Sequence, residues 1–177
     1  MIDIRILSFD ISASPGAAII EIKSGKPYLI AVDNLETTSA HTDAQRFAIV
    51  EAWATSFLYG EKPPDAIARE KFIKGGSKRA TQLVFGAWSS IDRALATYGY
   101  EISDKDEIVA SAVKKEIGGK GGASKEEVAA GVIRLLGEGV HDQLYTPKGK
   151  LLDDRADAIA IGLTYAVKKG LIGGLIS

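Results

Sequence analysis

The chain has 177 residues, 46% hydrophobic and 25% charged, which is apolar material enough for one packed domain over residues 1–177. The net charge of −1 says little about partners, because charge is locally uneven: Arg69, Lys71, Lys74, Lys78 and Arg79 surround the single acid Glu70. The absence of cysteine excludes disulfides and thiolate metal sites, and His41 and His141 have no ligand-like spacing, so zinc is not expected. No apolar run reaches membrane-spanning length, and the charged start Met1 to Arg5 does not read as a secretion signal. A soluble, cytoplasmic protein with no membrane partner is therefore expected.

In chain order, three runs rich in β-branched and aromatic residues come first: residues 4–12, 16–25 and 26–34, separated by a Pro15-Gly16 turn and a Ser24-Gly25-Lys26 turn. They predict three antiparallel strands. A helix is expected from Thr42 to Tyr59, opened by the capping-box pair Thr42 and Gln45 and striped by Phe47, Val50, Trp53, Ala54 and Phe57. Pro63 and Pro64 end that connection, and residues 66–70 read as a short strand closing in Arg69 and Glu70. After Gly75-Gly76, a stripe from Ala80 to Tyr98 predicts a long helix. Residues 100–104 read as a last strand. Helices over about 105–115 and 124–136 follow, the second capped by Ser124 and Glu127 and separated from the first by a flexible Gly-Gly-Lys-Gly-Gly loop. A final helix runs from about Asp153 to Lys169. Three antiparallel strands followed by strands alternating with helices make a mixed sheet with helices on both faces, an α/β fold.

Acidic residues then mark three element ends. Asp154 and Asp157 are three apart and share a helix face. A capping role accounts for an Asp at a helix start, and Arg155 could tie up the pair, but Asp157 lies a turn in, between Ala156 and Ala158. Asp10 interrupts an apolar strand, where burying a carboxylate costs several kcal/mol, roughly, unless it is paired or metal-bound. A strand-end Asp satisfied by turn N–H groups, and a Glu70 on a solvated rim, are the alternatives. If the first and fourth strands are neighbours, Asp10, Glu70, Asp154 and Asp157 meet at one sheet end. Hard cations such as Mg²⁺ or Mn²⁺ would then be needed, in an arrangement suited to two-metal phosphodiester hydrolysis. Lys71, Lys74, Lys78 and Arg79, with Lys114, Lys115, Lys120 and Lys125, would flank that centre and bind phosphate without reading sequence. The glycine loop lacks the Gly-Lys-Ser/Thr context of a nucleotide-binding loop, so no nucleotide cofactor is expected.

The strand bearing Asp10, the strand ending in Glu70, the Asp153-Asp154-Arg155-Ala156-Asp157 helix start and the segment from Lys114 to Leu136 resemble the RuvC Holliday-junction resolvases, within the RNase H-like nuclease superfamily. The resemblance covers nearly the whole chain. It implies a five-stranded RNase H-like sheet and a Mg²⁺-dependent crossover-junction endodeoxyribonuclease binding two ions, with Mn²⁺ able to substitute. The metal-binding catalytic carboxylates would be Asp10, Glu70, Asp154 and Asp157, with Lys114 and Lys125 facing the cleaved phosphate. It further implies paired nicks in branched DNA that leave 5′-phosphate and 3′-hydroxyl ends, within a bacterial or phage-infected cell. Phe72 is the nearest candidate for an aromatic that stacks at the junction. A homodimer through the long helix is implied as well. Leu83, Ala87, Trp88 and Ile91 are the expected interface, with Gly86 and Ala87 permitting close helix approach. Where the family often has Asp-Pro-Gly, this chain has Asp10-Ile11-Ser12. Two other readings remain: an RNase H-like nuclease acting on RNA–DNA hybrids or other branched DNA, and a non-catalytic junction-binding protein.

Overall fold

The computed structural model describes residues 3–72, 76–103 and 106–174. Strands β1 (Ile4–Asp10), β2 (Gly16–Lys23) and β3 (Lys26–Asn34) form an antiparallel meander, and β4 (Ala66–Glu70) and β5 (Glu107–Ile108) extend it in parallel. The order is β3-β2-β1-β4-β5, so β1 is central and nearly all of it is buried, whereas edge strand β3 alternates between exposed and half-buried residues. The mixed five-stranded sheet expected of the RNase H-like class is present.

Helices cover both faces. On one, α1 (Asp43–Leu58) and α2 (Lys78–Thr97) pack over Leu7, Phe9, Ile19 and Ile67. On the other, α3 (Ala110–Glu116), α4 (Lys125–Leu136), α5 (His141–Leu144) and α6 (Asp153–Lys168) pack over Ile6, Ala18, Ile20 and Ala68. Both expected capping boxes form, Thr42 with Gln45 and Ser124 with Glu127. Three expectations need correction. The last strand is Glu107–Ile108, and residues 100–103 are not a strand: Tyr100 N–H donates to Leu95 O at the end of α2, which commits that segment to a helix exit, while Asp104 lies outside the described residues. The helix expected over 105–115 starts only at Ala110, because β5 precedes it. A short 3-10 turn (Glu138–Val140) and α5 lie where no element was expected.

The contact that sets the site is between α6 and the start of β2. A Cβ on Gly16 would stand 2.1 Å from Asp154 O, and one on Gly162 would stand 2.7 Å from Ser8 Oγ. Only glycine lets backbone approach so closely. The buried Ser8 hydroxyl, in the middle of β1, donates to Ala158 O at 2.8 Å and pins the helix to the sheet. Gly16 is also the register partner of Asp10. The first turn of α6 is thereby held against the sheet end where β1 finishes.

Candidate active site

Strand periodicity decides which side chains meet. Alternate residues point to opposite faces, so Phe9 and Arg69 lie on the α2 side while Asp10 and Glu70 lie on the α6 side, at the ends of adjacent parallel strands. Arg69 is buried but compensated, with Asp92 at 3.0 Å, Glu107 at 3.1 Å and the Trp88 ring centroid 4.0 Å away. Its neighbour Glu70 is thus left to the opposite face. Arg155 leaves the acidic group too, because its Nε donates to Asn34 Oδ1 at 2.7 Å and its Nη2 lies 3.5 Å from Asp33 Oδ1.

Asp10, Glu70, Asp154 and Asp157 therefore gather at one end of the sheet. Burial pushes the Asp10 carboxyl well above the usual carboxylate range, and the charges of Asp157, Glu70 and Asp154 push it further. Glu70 is raised by burial and then by Asp157, Asp154 by burial and then by Asp153, and Asp157 by burial first. Asp10 is 7% exposed, and no side-chain hydrogen bond compensates it among the described residues. Opposing charge comes chiefly from Lys125, whose Nζ is 2.5 Å from Asp153 and 3.9 Å from Asp157; Lys114 also lowers Glu70. Among the described residues no three acidic or histidine side chains are placed so as to enclose an ion. The donor set is nevertheless all carboxylate, desolvated and mutually repelling, which fits a hard divalent cation and no soft one.

Beside these carboxylates lies a cleft of about 350 Å³, lined by Glu70, Asp157, Lys114 and Lys125, with Val113 and Val128 among its apolar lining. The glycine loop leads into the cleft-lining residues Ala123 to Lys125 through turn contacts: Gly119 N–H donates to Lys115 O and Ala123 N–H to Lys120 O, both at 3.1 Å. Lys71, Lys78 and Lys115 are exposed. Lys120 is exposed but paired with Glu127 at 2.5 Å, and Arg79 makes a bidentate pair with Asp43, both contacts at 2.5 Å. Lys74 lies outside the described residues. Phe72 packs edge-on against Phe85 and Trp88, with centroids 5.0 and 6.1 Å away, and Phe85 is 50% exposed.

The expected interface requires correction. Ala87 is 2% exposed and Ile91 0%, both inside the protomer's own core, and Leu83 and Trp88 are half-buried. The close approach at Gly86 is intramolecular, since a Cβ there would stand 1.9 Å from the Phe47 ring of α1. Small residues in α2 serve the contact with α1, so a Glu at Ala87 would disrupt folding before it touched any dimer. Sequence reading also passed over Asp153 as the partner of Lys125 and over Ser8 and Gly16 as the groups that seat α6. A serine inside an apolar strand and a glycine opposite Asp10 were the available signals.

No family model matches the chain. It is similar, at 27% identity, to the crossover junction endodeoxyribonuclease RuvC of Neisseria meningitidis, over 93% of this chain and 86% of the relative. The same enzyme of Chromobacterium violaceum is also 27% identical, over 94% and 88%. Among solved structures, Thermus thermophilus RuvC in complex with a Holliday junction substrate superposes with a TM-score of 0.76 at 22% identity, covering 97% of this chain and 99% of the other. The yeast mitochondrial Holliday junction resolvase superposes with a TM-score of 0.56 at 13% identity, over 91% and 78%. The resemblance to RuvC thus holds over nearly the whole length, and the fold is the RuvC form of the RNase H-like fold.

Proposed function

We propose that the chain is a metal-dependent, structure-selective DNA endonuclease that resolves four-way junctions by paired nicks, leaving 5′-phosphate and 3′-hydroxyl ends. The observation that carries this reading is the convergence of four desolvated carboxylates at one sheet end, beside a cleft walled by two lysines. Its similarity to RuvC proteins over more than nine-tenths of its length supplies the substrate class. Asp10, Glu70, Asp154 and Asp157 would hold Mg²⁺, with two ions as the working number and Mn²⁺ able to substitute. Bound metal there supplies an activated water and stabilises charge on the attacking and leaving oxygens.

The chain's own groups do the rest. Asp10, at the end of the central strand, is the most deeply buried of the four carboxylates. The pinned first turn of α6 keeps Asp154 and Asp157 in fixed relation to Asp10, and positional precision of this kind is what in-line attack requires. Lys114 and Lys125 face the scissile phosphate across the cleft, with Lys125 exchanging Asp153 for the phosphate. Phe72 stacks against an unpaired base at the branch. A four-way junction has near two-fold symmetry, so a homodimer matches its target, each protomer contributing one nick. Exposed Phe85 and half-buried Leu83 and Trp88 are apolar α2 residues that would meet a partner. No helix among the described residues is long and apolar enough to cross a membrane.

Incubation with a synthetic four-way junction, a plain duplex and an RNA–DNA hybrid, each with Mg²⁺ or with chelator, tests the proposal. Symmetric paired nicks in the junction alone, lost with chelator, are expected. Preferential cutting of the hybrid would assign the other RNase H-like activity, and tight junction binding without cleavage would make the chain a binding protein.

A further inference from the structure

The segment between α5 and α6 is a tight basic hairpin. Tyr145 and Leu151 pair as an antiparallel bridge, Thr146 N–H donates to Lys150 O at 2.9 Å, and Gly149 N–H donates to Thr146 O at 2.8 Å. Lys150 N–H also donates to Thr146 Oγ1 at 3.1 Å. Gly149 has φ of 76°, a conformation that a side chain would strain, and Pro147 fixes its own φ. The base of the hairpin is tied to the body: Leu144 is fully buried, Leu152 N–H donates to Leu144 O at 2.7 Å, and the Tyr145 ring stacks on His141 with centroids 4.7 Å apart. The tip is therefore preorganised, and it presents two exposed cations, Lys148 and Lys150.

Those cations differ from several others near the acidic end. Arg79, Lys120 and Lys125 are engaged by Asp43, Glu127 and Asp153, whereas neither Lys148 nor Lys150 has an ion-pair partner among the described residues. Hydrogen bonds, a proline and a left-handed glycine hold the turn, and among the described residues no carboxylate forms an ion pair with either lysine. Its place in the fold is equally specific. Leu152 is the N-cap of α6, so the hairpin ends where the helix bearing Asp154 and Asp157 begins. Asp154 lies four positions after Lys150, at most roughly 14 Å at full extension, and the charge of Lys150 is felt at both Asp153 and Asp154. Phosphates on one strand of a duplex recur about every 3.4 Å along its axis. The tip thus lies within a few nucleotides of any phosphate held at the carboxylates.

We propose that the Thr146–Lys150 turn is a phosphate clamp, in which Lys148 and Lys150 grip the backbone of one DNA arm next to the cleaved strand. This rests on the reading of the chain as a DNA nuclease and adds a contact outside the cleft. Rigid presentation matters because the two lysines lose little freedom on binding. Their contribution is to affinity and salt dependence, not to the chemical step.

The test uses the whole protein with Lys148 and Lys150 both changed to Ala, and Lys168→Ala as a control that removes a cation from the far end of α6. Binding of a labelled four-way junction is followed by anisotropy across a salt series in chelator, and cleavage by single turnover at saturating protein with Mg²⁺. The double variant should bind about tenfold or more weakly, and its log–log salt slope should fall by about 2, each phosphate contact contributing about 0.9. Its saturated cleavage rate should stay within about twofold of wild type. Unchanged affinity and slope, or an equal loss per charge in Lys168→Ala, would overturn the clamp while leaving the nuclease reading intact. Wild-type protein that neither binds nor cuts the junction would remove the nuclease reading itself, and the clamp with it.

Discussion

Both ends of β1 bury charge, and they treat it in opposite ways. At its start the Arg5 guanidinium is met by Glu21 at 2.6 Å and by Glu61, while Arg5 N–H donates to Asp65 at 2.7 Å. At its finish Asp10 is met by three more carboxylates, with the nearest positive charge drawn partly aside to Asp153. The first arrangement pairs positive charge with negative charge inside the protein's own structure, leaving only the buried Arg5 Nε without a hydrogen-bond partner among the described residues. The second leaves negative charge uncompensated in a desolvated place, which costs stability and is retained where function requires an external cation. One strand therefore carries a paired ion cluster at its start and an unpaired acidic one at its end.

The largest effect expected from this contrast is on cleavage. Asp157→Asn should lower single-turnover cleavage of a four-way junction by about 10³-fold or more, a barrier increase of about 4 kcal/mol, while junction binding changes little because affinity comes from cations. Near-wild-type cleavage would make the acidic end no more chemical than the basic one. Arg5→Ala should do the reverse. Removing one partner of a buried cluster costs about 3–5 kcal/mol, visible as a lower urea midpoint, with the activity of the remaining folded protein unaltered. A smaller change of opposite sign is expected for Asp10→Asn, which should stabilise metal-free protein by about 1–2 kcal/mol, or ~2–4 °C in Tm for each kcal/mol.

The pH dependence of that last effect sharpens the contrast. Asp10 is raised in the folded state, so its neutral form is the one the fold favours. That contribution is fully present below the unfolded pKa and is lost as pH rises through the higher folded value. Thermal melts in chelator should show Asp10→Asn and wild type converging at acid pH and separating as pH rises through that window. A gap independent of pH would mean that the substitution acts through packing instead of charge.

The comparison between what was legible in the sequence and what was not follows the range of the interactions. Strands β1 to β4, helices α1, α2, α4 and α6 and both capping boxes were readable because alternation, stripes and caps depend on residues within a turn or two of each other. The carboxylates stood out for the same local reason, since Asp10 and Asp157 break apolar patterns. Strand β5 was misplaced because a two-residue strand carries almost no pattern of its own; it exists through pairing with Arg69 and Glu70 and through the cross-strand pair of Arg69 with Glu107. The stripe on α2 looked too wide for one sheet face, yet Ala87 and Ile91 are consumed by the protomer's own core, and Phe47 of α1 fills the place above Gly86.

Residue types and spacing determined by themselves that the chain would be a mixed sheet with acidic element ends and basic flanks. Tertiary structure decided how those charges are used: Ser8 and Gly16 seat α6 so that four carboxylates share one end. Arg155 is sent to β3 and Lys125 to Asp153, while Lys148 and Lys150 have no ion-pair partner among the described residues and stand on a hydrogen-bonded turn. The physical reason is that propensity and amphipathicity are properties of neighbours along the chain, whereas a carboxylate's desolvation and a lysine's partner depend on residues brought together from far apart in sequence.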